Sequence, residues 1–240
     1  MYKDKIYESY VSSHTKGLYG EITLKKIHQQ FPAWDWYYYK PILSKINKES
    51  KVLELGCGNG SFLYYLKYKG FTNLKGIDIS AEYLLEGTNL GFQNLYLEDI
   101  IESLKSEEKY DLIIARDVFE HFDKALSFKM FELIFSKLNK GGSLLIQVPN
   151  GHGIFVNMIY YSDFTHETLY SANSIKQIAN SIGYSKSKFY ATGPVPKGFA
   201  SLIRYLIWTA ISLIYRLGYF SETGRLDLIS TQNIISILQK

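Results

Sequence analysis

The chain has a single cysteine, Cys57, no block of like charge and no internal repeat, and each shortage removes a class of protein. One cysteine excludes an intrachain disulfide framework and suits a reducing compartment. A net charge of only +4, with lysines scattered along 240 residues, gives no basic stripe, so nucleic acid is not an expected partner. No basic segment followed by an apolar core opens the sequence, so export is not indicated and the expected location is cytoplasmic. Spacing for a structural zinc site is missing, and the expected metal content is none. Hydrophobic residues at 46% and charged residues at 21% are those of a folded domain rather than a disordered one.

What is present centres on Lys51-Val52-Leu53-Glu54-Leu55-Gly56-Cys57-Gly58-Asn59-Gly60. A strand-length apolar run stops at three glycines spaced two apart, and a helical pattern, Ser61 to Lys69, follows at once. Glycines there let backbone approach a ligand, and a helix N-terminus favours an anionic group. Strand–helix alternation then continues. Strands are expected at Val52–Leu55, Asn73–Asp78, Gln93–Leu97, Asp111–Ala115, Ser143–Val148 and Tyr184–Tyr190. Helices are expected at Ser80–Thr88 with Ser80 as N-cap, Asp123–Leu138 stopped by Gly141-Gly142, and Asn173–Ile182 ended by Gly183. Units of this length imply a single α/β domain, a doubly wound parallel sheet with a ligand crevice at the strand C-termini.

The expected organisation is a helical cap over residues 1–50, a cofactor-binding core over 51–192, a helical insertion over 193–225 and a final strand within 226–240. In the cap, Ile6, Tyr7 and Tyr10 share a face, as do Ile22, Leu24 and Ile27, and then Trp36, Tyr37, Tyr39, Ile42, Leu43 and Ile46. The aromatic run Phe31–Tyr39 reads as core, with a substrate mouth as the alternative. In the insertion, residues 199–217 form an apolar helix with Ser201, Arg204, Thr209, Ser212 and Arg216 on one side. The two arginines leave it short of the ~20 apolar residues of a bilayer span. Burial against the core or a homodimer interface is expected, with peripheral membrane contact as the alternative.

Two cofactors compete for the glycine loop. A dinucleotide fingerprint wants glycine where this chain has Ser61, which counts against a nicotinamide-dependent oxidoreductase or epimerase. Asp78, at the end of the second strand, can accept from both hydroxyls of a ribose, and Asp99, after the third, can take an adenine amine. Each also reads as a surface acid or helix cap.

VLELGCGNG, GIDIS, LEDI, YDLIIARDVFEHF, LNKGGSLLIQVPN and DFTHETLYSANSI resemble, in order and spacing over about residues 48–192, the motifs of class I S-adenosylmethionine-dependent methyltransferases. STQNIISILQK looks like that family's final strand. The resemblance implies a Rossmann-like seven-stranded sheet of order 3-2-1-4-5-7-6 with the last strand antiparallel. It also implies S-adenosyl-L-methionine as cofactor and S-adenosyl-L-homocysteine as product. Carried over by position, Glu54, Gly56, Cys57 and Gly58 border the methionine part, Asp78 and Ile79 the ribose, Asp99 and Ile100 the adenine, and Arg116 with Asp117 the methyl end. Cys57 is then a small neutral filler.

A hydroxyl acceptor needs a base. His166, with Asp163 three residues before it, is the first candidate and His121 the second. The style of the EHF and DFTH segments is similar to bacterial methyltransferases of surface-polysaccharide, capsule and small-molecule biosynthesis. That suggests a small-molecule or sugar-linked acceptor, methylated on oxygen. A non-catalytic binding subunit of the same fold is the rival from outside enzymes.

Overall fold

The computed structural model describes residues 5–7 and 20–240. Seven strands form one sheet of order β3-β2-β1-β4-β5-β7-β6: β1 Lys51–Leu55, β2 Asn73–Asp78, β3 Leu95–Leu97, β4 Tyr110–Arg116, β5 Leu138–Pro149, β6 Lys186–Ala191 and β7 Asn233–Gln239. β7 runs antiparallel to both β5 and β6, and the pairs from β3 through β5 are parallel, as the resemblance implied.

Successive residues of a strand point to opposite faces, so a sheet covered on both sides needs apolar residues at every position. β4 shows this. Ile113 joins one core, with the helices here named α5 (Lys124–Lys137) and α7 (Ala172–Ile182), while Leu112 and Ile114 join the other. That second core lies under α1 (Leu24–Trp34), α2 (Ser61–Tyr68) and α3 (Ala81–Asn89). Two short helices, α4 (Ile100–Ser103) and α6 (Val156–Tyr160), follow β3 and β5, and the long α8 (Phe199–Thr223) lies between β6 and β7.

Several boundaries differ from expectation. Gly141-Gly142 do not stop α5; they lie inside β5, where the register with β4 shifts and Gly141 takes φ +78°. α5 ends before them, at Lys137. Tyr184 is not in β6: it is buried beneath α5, its hydroxyl donating to the Phe131 carbonyl. The expected Ser80 cap is present, accepting from Tyr83 N–H, and Gly183 ends α7 with φ +108°. In the cap, α1 continues through a wide π-helical turn, Asp35–Tyr39, that places Tyr38 in the core and leaves Trp36 at the surface. Tyr10 lies outside the described residues.

The insertion departs most from expectation. α8 is 25 residues, about 37 Å at 1.5 Å per residue, and none of its residues is buried, so the apolar stripe does not join the core. Arg204 and Arg216 turn toward the domain: Arg204 lines a cavity and Arg216 Nε donates to the Leu228 carbonyl at 3.1 Å. Leu202, Leu206, Leu213, Ile214, Leu217 and Phe220 face outward and are exposed. With both cations on the inner side, α8 has the length and composition of a bilayer-crossing helix.

Candidate active site

β1 ends at Leu55, and the chain must then turn sharply beneath β2. Gly56, Gly58 and Gly60 take φ of +61°, +55° and +77°. At Gly56 a Cβ would stand 2.6 Å from Val118 Cγ2, and at Gly60 2.7 Å from Leu95 Cδ2, so steric space as well as dihedral angle requires glycine. A Cβ on Gly58 would instead project into open space, the space a ligand at this loop would take. Asn59 Oδ1 accepts from Ser61 N–H and the Ser61 hydroxyl, which starts α2.

Asp78 braces the loop. One carboxylate oxygen accepts Gly58 N–H at 2.7 Å and the other Ser80 N–H at 2.8 Å. Burial raises its pKa, and these backbone donors oppose the rise. The neighbouring strand end is tied on by Glu98 N–H donating to the Asp78 carbonyl at 3.1 Å, which sets Asp78 beside the Glu98-Asp99 corner. There Asp99 Oδ1 caps α4, accepting from Ile101 and Glu102 N–H groups. Ile79 and Leu97 are exposed apolar groups at the same edge, whereas Ile100 packs on the core.

Glu54 is 1% exposed. Its Oε1 lies 3.5 Å from Arg116 Nε, and its Oε2 has no hydrogen-bond partner. Desolvation pushes its pKa up to about 7 against the pull of Arg116. The Arg116 guanidinium sits 4.0 Å from the Phe62 ring centre and 5.5 and 5.7 Å from those of Trp34 and Tyr38. An orphaned buried carboxylate oxygen beside the glycine loop fits a cationic group, and an α-amino group is one. Cys57 is buried and its thiol pushed up by desolvation, consistent with a filler.

Beyond Arg116 the chain takes a left-handed residue, Asp117 at φ +55°, at the floor of a cavity of about 710 Å³. Gln147 Nε2 donates to both Asp117 oxygens, at 3.0 and 2.9 Å, and Tyr38 O–H donates to Gln147 Oε1. Asp117 is held above the usual carboxylate range by desolvation, with Gln147, Arg116 and His166 opposing. Trp34, Tyr37 and Tyr38 form one wall; Arg204, Ile207, Trp208 and Ile211 of α8 form the roof. Tyr37 O–H donates to the Gly193 carbonyl, which joins the cap to the root of the insertion. The aromatic run is thus both core and cavity wall.

The two histidines come together, with ring centres 4.8 Å apart. His166 Nδ1 donates to the Tyr160 carbonyl at 2.9 Å. His121 Nδ1 is 2.8 Å from Thr165 Oγ1, whose own proton goes to Asp163 Oδ1 at 2.6 Å. Asp163, expected beside His166, therefore reaches His121 through Thr165, and His166 is oriented by a backbone carbonyl. Glu120, adjacent in sequence and not among the expected residues, is 1% exposed with Oε2 unpartnered. Its position beside His121 in the EHF segment was the available signal. For Gln147, Arg204 and Trp208 there was none, because their place depends on β5 pairing and on the path of α8.

A glycine loop, an acid at each of two neighbouring strand ends and a cavity beyond β4 fit a nucleoside-type cofactor with room beside it for a second molecule. A methyltransferase-domain family model matches residues 28–187, and the chain belongs to the S-adenosylmethionine-dependent methyltransferases. Among curated proteins it is similar to a ubiquinone biosynthesis O-methyltransferase of Rickettsia canadensis, 34% identical over 98 residues, 38% of this chain and 41% of that one. It is also similar to a phosphoethanolamine N-methyltransferase of Plasmodium falciparum, 32% identical over 113 residues, 45% and 42% of the two chains. The chain spans less than half the length of these two relatives. Its fold matches the structure of a SAM-dependent methyltransferase from Archaeoglobus fulgidus, with TM-score 0.62 at 21% identity over 91% of this chain and 95% of that one. It also matches the plantazolicin methyltransferase BpumL solved with SAH, with TM-score 0.58 at 19% identity over 100% and 95%.

Proposed function

We propose that the protein methylates a hydroxyl oxygen of a small, sugar-type acceptor held in the cavity between the aromatic cap and α8. The observation that carries this reading is the cavity itself. It opens at Arg116-Asp117, where β4 ends, and combines aromatic walls with Arg204, Gln147 and Asp117 as hydrogen-bonding groups. Aromatic faces and a few fixed polar groups are what recognition of a polyhydroxylated ring requires. Precursors of cell-surface polysaccharide have this chemistry.

When bound, S-adenosylmethionine supplies an electrophilic methyl group on sulfur. Gly56 and Gly58 would admit its methionine part to the loop, and Glu54, with Oε2 unpartnered, would accept from its amino group. Asp78 and Asp99 would hold the ribose and the adenine, and the exposed Ile79 and Leu97 would cover the base. The domain's main task is alignment, since displacement at a sulfonium needs an in-line nucleophile and a dry site. Trp208 and Ile207 exclude water from above, and Tyr37 and Tyr38 set the depth to which an acceptor enters. Activation of the hydroxyl falls to the His121–His166 pair, whose ring centres stand 4.8 Å apart near Asp117.

Incubation of the purified protein and trideuteromethyl-labelled cofactor with a metabolite extract, read by mass spectrometry, tests the reading. A labelled methyl ether supports it. Label found only on nitrogen, or on no small molecule, would overturn it.

A further inference from the structure

We propose that Glu120, His121 and His166 form a divalent-cation site beside the acceptor cavity. One ligating atom from each residue lies within 4.8 Å of the others, although the ligands come from two segments 45 residues apart. A first-row cation bound at about 2.0–2.2 Å asks its ligands to stand roughly 3 to 3.5 Å from one another, a closure within reach of small side-chain rotations.

Three independent observations support the site. Glu120 Oε2 is buried without a partner, an arrangement that is costly for a carboxylate unless a cation meets it. The imidazoles are oriented as ligating histidines are. His166 gives Nδ1–H to a backbone carbonyl, which leaves its Nε2 as the ligating nitrogen, and the His121 ring is oriented by Thr165, itself anchored by Asp163. The two segments are also fixed to each other, because the Glu120 carbonyl accepts Glu167 N–H at 2.7 Å and Thr168 N–H at 3.1 Å. Spacing along the sequence gave no sign of this site, because the second histidine arrives on the loop after β5.

Two imidazoles and one carboxylate suit zinc and its first-row neighbours and leave coordination positions open. The site itself rests on geometry alone. Its role rests on the proposed function: Asp117, three residues before Glu120, lines the cavity and lies within range of the His166 charge, and a cation held there would lower the pKa of an acceptor hydroxyl that met its open position. The histidines are then ligands, and the hydroxyl loses its proton to water rather than to a ring nitrogen.

The test uses the full chain, freed of metal by a chelator. Zinc binding is measured by competition with a chromogenic chelator, and cobalt(II) by its visible absorption. One equivalent should bind with an intense cobalt spectrum of low coordination number. Glu120→Gln and His166→Gln should each weaken zinc at least about tenfold, while calorimetric affinity for S-adenosylmethionine and the melting temperature of the metal-free protein stay near wild type. Zinc affinity equal in wild type and in a His121→Ala, His166→Ala double variant would overturn the site. If cation binds as described and no hydroxyl is methylated, the site stands and the acceptor reading fails. If hydroxyl methylation proceeds undiminished under chelation with no cation bound, the acceptor reading stands and the site fails.

Discussion

Replacing Asp78 with asparagine separates the two tasks assigned to this carboxylate. In the protein alone its oxygens accept two backbone N–H groups, from Gly58 and Ser80, at 2.7 and 2.8 Å. Asparagine keeps one acceptor and turns an amide NH₂ toward the other N–H. One charge-assisted bond is lost, worth about 1.5–3 kcal/mol. For a chain of this size that lowers the melting temperature by roughly 3–12 °C. Binding of S-adenosylmethionine loses a second contribution of the same order if the carboxylate accepts from the ribose hydroxyls. Affinity then falls roughly 10- to 150-fold. Scanning calorimetry and isothermal titration on the same preparations measure both. A lowered melting temperature with unchanged cofactor affinity would refute the ribose assignment and leave Asp78 as a brace for the glycine loop.

Gly60→Ala places a side chain at φ +77° and 2.7 Å from Leu95 Cδ2, and should cost about 1–3 kcal/mol in chemical unfolding with loss of cofactor binding. Glu54, raised from 4.5 to about 7, contributes stability that is present below pH 4.5 and lost as pH rises through 7. Glu54→Gln should therefore gain on the wild type in unfolding experiments between pH 5 and pH 8, while binding S-adenosylmethionine more weakly by calorimetry; a pH-independent difference would contradict this. Because Leu206 and Ile214 are 57% and 68% exposed, the double change Leu206→Glu, Ile214→Glu should shift stability by no more than about 0.5 kcal/mol; a large loss would show that α8 buries this face, in a second copy for example. Flotation with anionic vesicles on the same pair of proteins reads membrane contact directly. Trp208→Ala, at the cavity roof, should raise the acceptor KM and leave cofactor affinity unchanged in titration.

The sheet, its glycine loop and the position of the two acids were legible in the sequence because they are written locally. Strand-length apolar runs, three glycines at positive φ and an acid at or just past the ends of β2 and β3 all lie within a few residues of the structures they dictate. Gly141-Gly142 misled because the same pair that ends a helix also makes a bulge in a strand, and only the pairing with β4 distinguishes the two. The α8 stripe misled for a related reason: periodicity shows that a face is apolar and says nothing of what lies opposite it. The acceptor side was least legible. Tyr38 meets Gln147 across 109 residues and His121 meets Thr165 across 44, contacts that exist only once β4, β5 and the loop after β5 are assembled. Glu120 was passed over because burial, not residue type, makes an orphaned carboxylate informative.

The central claim is that the cavity beyond Arg116 presents a hydroxyl acceptor to the methyl group. The most direct measurement is a single-turnover reaction of the protein loaded with trideuteromethyl-labelled cofactor, its small-molecule products separated and fragmented by mass spectrometry. The account predicts the label in a methyl ether of a polyhydroxylated acceptor, formed by the wild type and lost in a His121→Ala, His166→Ala variant that still binds cofactor. Label on a nitrogen atom, or equal ether formation by that variant, would contradict it.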